Sequence, residues 1–146
     1  MSCSCNRTVL KGDKGDQGIQ GIQGPAGTMG YDVYKVLLTQ SGTSIPTVVS
    51  NGSGANTPLE NTIGGTPVYT YVTVGTYRLT ITGAFPAAKT YIKIDNPQDL
   101  GSISKAYRVS DDVVEILTEI FDPAGPAFEL VNTLLYETSF EIQVYP

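Results

Sequence analysis

Val68-Tyr69-Thr70-Tyr71-Val72-Thr73-Val74-Gly75-Thr76-Tyr77-Arg78-Leu79-Thr80-Ile81-Thr82 is built almost entirely of β-branched and aromatic residues and is broken once, by Gly75. Such residues pack well on a pleated, half-buried surface. The two runs, 68–74 and 76–82, read as strands, and the glycine between them reads as a hairpin turn. In the second run Tyr77, Leu79 and Ile81 alternate with Arg78, Thr80 and Thr82. A period of two buries one face and wets the other, as in an antiparallel sheet with one solvated side.

The same period recurs outward from this hairpin. Ile92 and Ile94 alternate with Lys93 and Asp95, and Phe140, Ile142 and Val144 alternate with Glu141, Gln143 and Tyr145. Val114, Ile116 and Ile120 share one face while Glu115 and Glu119 share the other. Tyr34 to Thr39 and Ile103 to Val109 read as further strands. Turn-forming residues cluster at Ser50-Asn51-Gly52-Ser53-Gly54, Gly64-Gly65, Asn96-Pro97 and Asp122-Pro123-Ala124-Gly125-Pro126. Phe128, Val131, Leu134 and Leu135 have weak helical spacing, which suits one or two helical turns or a loop that plugs the core. The sum is seven or eight short strands. Residues 31–146 are thus expected to form an all-β knob, a β-sandwich or jelly-roll-like unit, long enough to build its own core.

A different rule governs residues 12–30. Gly12, Gly15, Gly18, Gly21, Gly24, Gly27 and Gly30 fall on every third position, making six Gly-X-Y triplets and a seventh glycine. The chain has 16 glycines among 146 residues, and the nine after position 30 are close to the ordinary frequency. Strict phase is what a triple helix demands, because only glycine fits where each of three chains crosses the common axis. A flexible linker needs glycine in no particular phase. Lys14 and Asp16 place opposite charges where staggered chains can pair. Pro25 is the sole proline of the repeat, so the helix has little preorganisation. At about 3.1 Å per residue the rod would be roughly 55 Å long. A stalk so poor in proline needs a neighbouring domain to hold three chains together, and the knob is expected to be that clamp and trimeric.

Composition narrows the chemistry. The chain has no histidine and no tryptophan, which removes His-based triads, His general bases and His metal clusters. Its net charge is -5. Residues 1–30 hold three bases and two acids, a net +1, and residues 31–146 hold six bases and twelve acids, a net -6. No basic patch is expected for nucleic acid. No apolar run reaches the roughly 18 residues of a membrane span, and the start, Met1-Ser2-Cys3-Ser4-Cys5-Asn6-Arg7, lacks the apolar core of a secretory signal. The expectation is a soluble protein made in the cytoplasm, with no membrane insertion.

A short N-terminal peptide, a collagen-like stalk and a small β-knob together resemble the fibre proteins on bacteriophage particles. Lys11-Gly12-Asp13-Lys14-Gly15-Asp16 is of the type found in phage tail and head fibres. The knob resembles small C-terminal domains of phage-associated proteins from Bacteroidetes environments, through Tyr34-Lys35-Val36, Leu38-Thr39-Gln40-Ser41-Gly42, Leu59-Glu60-Asn61-Thr62-Ile63-Gly64, Leu79-Thr80-Ile81-Thr82-Gly83-Ala84-Phe85 and Glu141-Ile142-Gln143-Val144-Tyr145. The resemblance implies a homotrimeric virion fibre and carries over no catalytic residue. The triplets alone also suit spore-surface collagens and collagen-stalk lectins. The Ile-Gln triplets differ from the Pro-Thr-rich repeats of spore filaments, and the missing signal counts against the lectins.

Residues 1–11 are the expected attachment to a capsid or tail protein, with Val9 and Leu10 as the sizeable apolar pair before the repeat. Cys3 and Cys5 are too few for a structural zinc site in one chain. Six in a trimer can crosslink chains or bind metal at the axis, but free thiols or burial in a capsid pocket is the preferred reading. Tyr69 and Tyr71 share a strand face and offer a glycan contact, against which stands packing in the core or at a subunit interface, as tyrosine favours both. Tyr91 and Tyr107 carry the same alternatives. Asp95, Asp99, Asp111 and Asp112 lack a calcium-loop pattern and read as turn and surface carboxylates. No enzymatic activity, cofactor or metal is expected. The expected function is a phage head fibre on the virion surface that adheres to host surface or mucus. The alternative is a tail fibre or tail-tip protein with a lectin-like, glycan-binding knob.

Overall fold

The computed structural model describes residues 30–49, 57–95, 101–125, 128–132 and 134–146. Ten strands run in the order β1 (Asp32–Thr39), β2 (Thr47–Val48), β3 (Glu60–Asn61), β4 (Val68–Thr73), β5 (Thr76–Thr80), β6 (Thr90–Asp95), β7 (Ser102–Arg108), β8 (Val113–Phe121), β9 (Phe128–Leu130) and β10 (Thr138–Val144). No helix occurs among the described residues. Seven strands have five residues or more, and β2, β3 and β9 are the short additions.

The strands form two antiparallel sheets. Sheet A has the order β2-β1-β10-β6, with β3 also on β1; sheet B has the order β4-β5-β8-β7, with β9 also on β8. The pairing is nested. The first strand pairs with the last, Tyr34 opposite Ile142, and inside them β5 pairs with β8, Tyr77 opposite Ile116. Alternation then decides which side chains meet. Tyr34, Val36 and Leu38 of β1 and Phe140 and Ile142 of β10 face Tyr77 and Leu79 of β5 and Val114 and Ile116 of β8, all buried in one cluster. Both sheets share this core, so the fold is a β-sandwich.

Gly75 makes the β4–β5 turn at φ +63°, a conformation that glycine adopts without steric cost. A Cβ there would lie 2.6 Å from the Thr118 carbonyl oxygen and 2.8 Å from the Val131 nitrogen. That close approach lets β9 continue along β8 where β5 leaves it. The Thr118 N–H donates to the Gly75 carbonyl (2.8 Å), and the Val131 N–H donates to the Thr118 carbonyl (3.0 Å).

The same junction settles the stretch with helical spacing. Phe128–Leu130 is a strand, and its backbone groups are committed to β8, which leaves none for a helical turn. The alternative of a plugging loop fits better, because Leu135 is fully buried and its carbonyl accepts from the Gln40 N–H at 2.8 Å. The expected turns at 50–54 and at Asn96-Pro97 lie outside the described residues.

Candidate functional site

The end of the sandwich where the chain enters is closely built. Gly30 is exposed, and β1 begins two residues later at Asp32, opposite Val144 near the C-terminus. The Tyr31 and Tyr145 rings meet at 5.3 Å between centroids, and the Tyr145 N–H donates to the Lys89 carbonyl (2.9 Å). The β7–β8 turn closes on the same end. The Phe85 N–H donates to the Asp111 carbonyl (2.7 Å), and the Arg108 guanidinium donates to the Phe85 carbonyl and to the Asp111 carboxylate. The opposite end carries Thr39, Asp95, Ser102 and Phe121. Of the seven glycines in phase, Gly30 alone is described. Gly12 to Gly27, Cys3, Cys5, Val9, Leu10, Lys14 and Asp16 lie outside the described residues.

The outer face of sheet A carries charge pairs beside Val33 and Leu37. Lys35 faces Glu141 at 3.5 Å, and Lys93 faces Asp95 at 2.7 Å. The Asp95 carboxylate, hydrogen-bonded to Lys93, raises that ammonium above its ordinary range. The Tyr145 hydroxyl donates to Gln143 (2.9 Å), and the Gln143 amide donates to Glu141 (2.7 Å). Tyr91 stands directly across from Gln143 and is 54% exposed.

The outer face of sheet B is mixed. At its centre the Tyr107 hydroxyl and the Arg78 guanidinium (2.8 Å) both donate to Glu115, and these hydrogen bonds hold the Glu115 carboxyl below its usual range despite partial burial. The same bond to Glu115 raises the Tyr107 phenol. Lys105 pairs with Glu119 at 2.5 Å and stands 5.5 Å from the centre of the Phe128 ring. Phe128 packs edge-on against Phe121, with both rings exposed. The sequence carries no signal for this aromatic pair, because the register of β9 on β8 brings Phe128 opposite Phe121.

The paired tyrosines of β4 point inward. The Tyr69 and Tyr34 hydroxyls are 3.1 Å apart, joining β4 to β1 across the sandwich. Burial raises the Tyr69 phenol well above its ordinary range, and the Tyr34 hydroxyl beside it adds to the shift. Tyr71 meets Tyr77 edge-on at 5.9 Å. Both are placed for packing, which leaves Tyr91 and Tyr107 as exposed tyrosines on the outer faces.

The carboxylates have local partners. Asp112 accepts from the Gly83 N–H (2.6 Å), Asp111 pairs with Arg108, and Asp95 pairs with Lys93. Asp99 lies outside the described residues. Among the described residues, no three His, Cys, Asp or Glu side chains gather as a metal site, and no helix is long and apolar enough to cross a membrane. The arrangement offers surfaces for contact: the end where the chain enters at Gly30, one face with charge pairs, and one face with apolar borders. Comparison with known protein families, with curated proteins and with solved structures finds no match for the chain.

Proposed function

We propose that the protein is a homotrimeric bacteriophage virion fibre, more specifically a head fibre. Residues 1–11 attach it to the particle, residues 12–30 form a triple-helical spacer, and residues 31–146 form a trimeric outer knob. One observation carries this. Seven glycines in strict phase end at Gly30, and β1 of a two-sheet sandwich begins at Asp32, so the repeat runs into the β-domain without a spacer.

The mechanism is assembly followed by adhesion. Knobs associate and align three chains, and the triple helix zips from Gly30 back toward Gly12. High local chain concentration replaces the stability that proline would supply.

Gly21→Ala tests the stalk, because a methyl group does not fit the axis. Circular dichroism of the full chain should lose the collagen-like signal or show a lowered melting point for it. An unchanged signal and melting point would remove the stalk from the scheme. The second reading, a tail fibre with a glycan-binding knob, is favoured by Tyr91, an exposed ring beside Gln143 and Lys93 on sheet A. A glycan array probed with the full chain and with Tyr91→Ala separates the two.

A further inference from the structure

We infer that the β4 border of sheet B is the surface by which one copy of this chain packs against the next, and that Val68, Val72, Val74 and Leu130 carry the contact. The inference rests on the trimeric reading above and names the knob surface that it uses.

The first observation concerns sheet edges. A free edge strand is a template for another chain, and proteins guard such edges with charges, proline or short length. Sheet A ends in β6, which carries Lys93 and Asp95, and in β2 and β3, which have two residues each. The far edge of sheet B is β7, with Lys105 and Arg108. β4 is different: Val68–Thr73 has six residues, no charge, no proline and no glycine. Val68, Val72 and Val74 are nonetheless exposed, at 51%, 44% and 47%. At the turn the strip continues onto β9, where Leu130 comes within 3.0 Å of a Cβ built on Gly75 and is itself exposed. An uncharged edge of this length with valines on its surface is a site for association.

The second observation says which occupant it takes. The phased glycines end at Gly30, so three chains would be tethered at the start of β1. β4 stands over that same strand, because the Tyr34 and Tyr69 hydroxyls meet across the sandwich. Both tyrosines lie near the beginning of their strands. A tether at Gly30 keeps the three β4 flanks, which stand over β1, within reach of one another, whereas the charged β6 and β7 edges lie across the sandwich from β1 and β4. A threefold ring uses a heterologous contact, so the β4 border need not meet another β4 border. The occupant is a second copy of this chain.

The test compares full-length chains by sedimentation velocity, under reducing conditions. The wild type and a Gly21→Ala chain are measured first, the latter to weaken the triple helix. Val68→Lys with Val72→Lys, and separately Tyr91→Lys on sheet A, are then placed in the Gly21→Ala chain. The expected result is a trimer for the wild type, for Gly21→Ala and for Tyr91→Lys, and a threefold fall in mass for the double lysine variant with its β-sheet dichroism retained. A double variant that stays trimeric overturns the inference and leaves the trimeric reading standing, as does dissociation by Gly21→Ala alone. A monomeric wild type removes the trimeric reading itself. If the double variant does not fold, hydrogen exchange of the wild type decides. Outward amides of β4 protected as well as those of central β5 support the contact, and exchange as fast as at the β6 edge overturns it.

Discussion

The outer face of sheet A and the β4–β9 border of sheet B are built differently. On sheet A the surface side chains pair by charge, Lys35 with Glu141 and Lys93 with Asp95, in the open where water and salt screen them. At the β4–β9 border of sheet B the surface is valine, leucine and phenylalanine, and the backbone itself interlocks at Gly75. Exposed ion pairs contribute little to stability. An apolar border over a tight backbone junction does the reverse: it adds stability where it packs and leaves a surface that gains by being covered. The difference teaches that the charged face suits solvent and the apolar border suits another protein surface.

Three substitutions test that contrast. The largest effect is expected from Gly75→Val. Positive φ and a Cβ 2.6 Å from the Thr118 oxygen combine strain with overpacking, for a loss of roughly 3 kcal/mol in urea unfolding. Gly64→Ala is the control, also at positive φ (+77°) but with nothing within 4 Å, and should cost about 1 kcal/mol. Equal losses would mean that the β4–β9 junction is not tightly packed.

Glu115→Gln is next. Its carboxyl is held below the usual range by Tyr107 and Arg78. The folded state therefore binds its proton less readily than the unfolded state, whose glutamate titrates near pH 4.3, roughly. The stability this supplies is present above that pH and lost as pH falls through the lower folded value. Glu115→Gln should lower the neutral-pH unfolding midpoint and flatten the acid limb of stability against pH. An acid limb as steep as that of the wild type would assign the slope to other carboxylates.

The smallest effect belongs to Lys93→Ala. Lys93 and Asp95 are both exposed, and the urea midpoint should not move measurably. A clear loss would show that the charged face contributes to stability after all and would erase the contrast.

Much of the sandwich was legible because alternation has a direct physical cause. Tyr77, Leu79, Ile81, Val114, Ile116, Phe140 and Ile142 were all read as one-sided and are all buried. Gly75 was read as a turn and is one. The β4 strand was legible as a strand but not in its facing. Val68, Thr70 and Val72 are as compatible with a core as Tyr69, Tyr71 and Thr73, so period two offered no contrast to decide inside from outside. Phe128 misled for a related reason: four apolar residues at irregular spacing fit a helix as well as a hairpin return. What decided was the backbone partner that β8 supplied, which no local pattern contains.

The seven longer strands, the hairpin at Gly75 and the three-residue phase of the glycines could be read from the sequence alone, because each repeats a local pattern along the chain. The folded chain alone shows that Tyr69 meets Tyr34, that β9 takes up the edge of β8 beyond Gly75, and that the uncharged β4 edge stands over the strand leading from Gly30. Those are contacts between residues far apart in the chain, set by which strand lies beside which, and hydrogen-bond pairing between sheet neighbours is not written in the period of either strand alone.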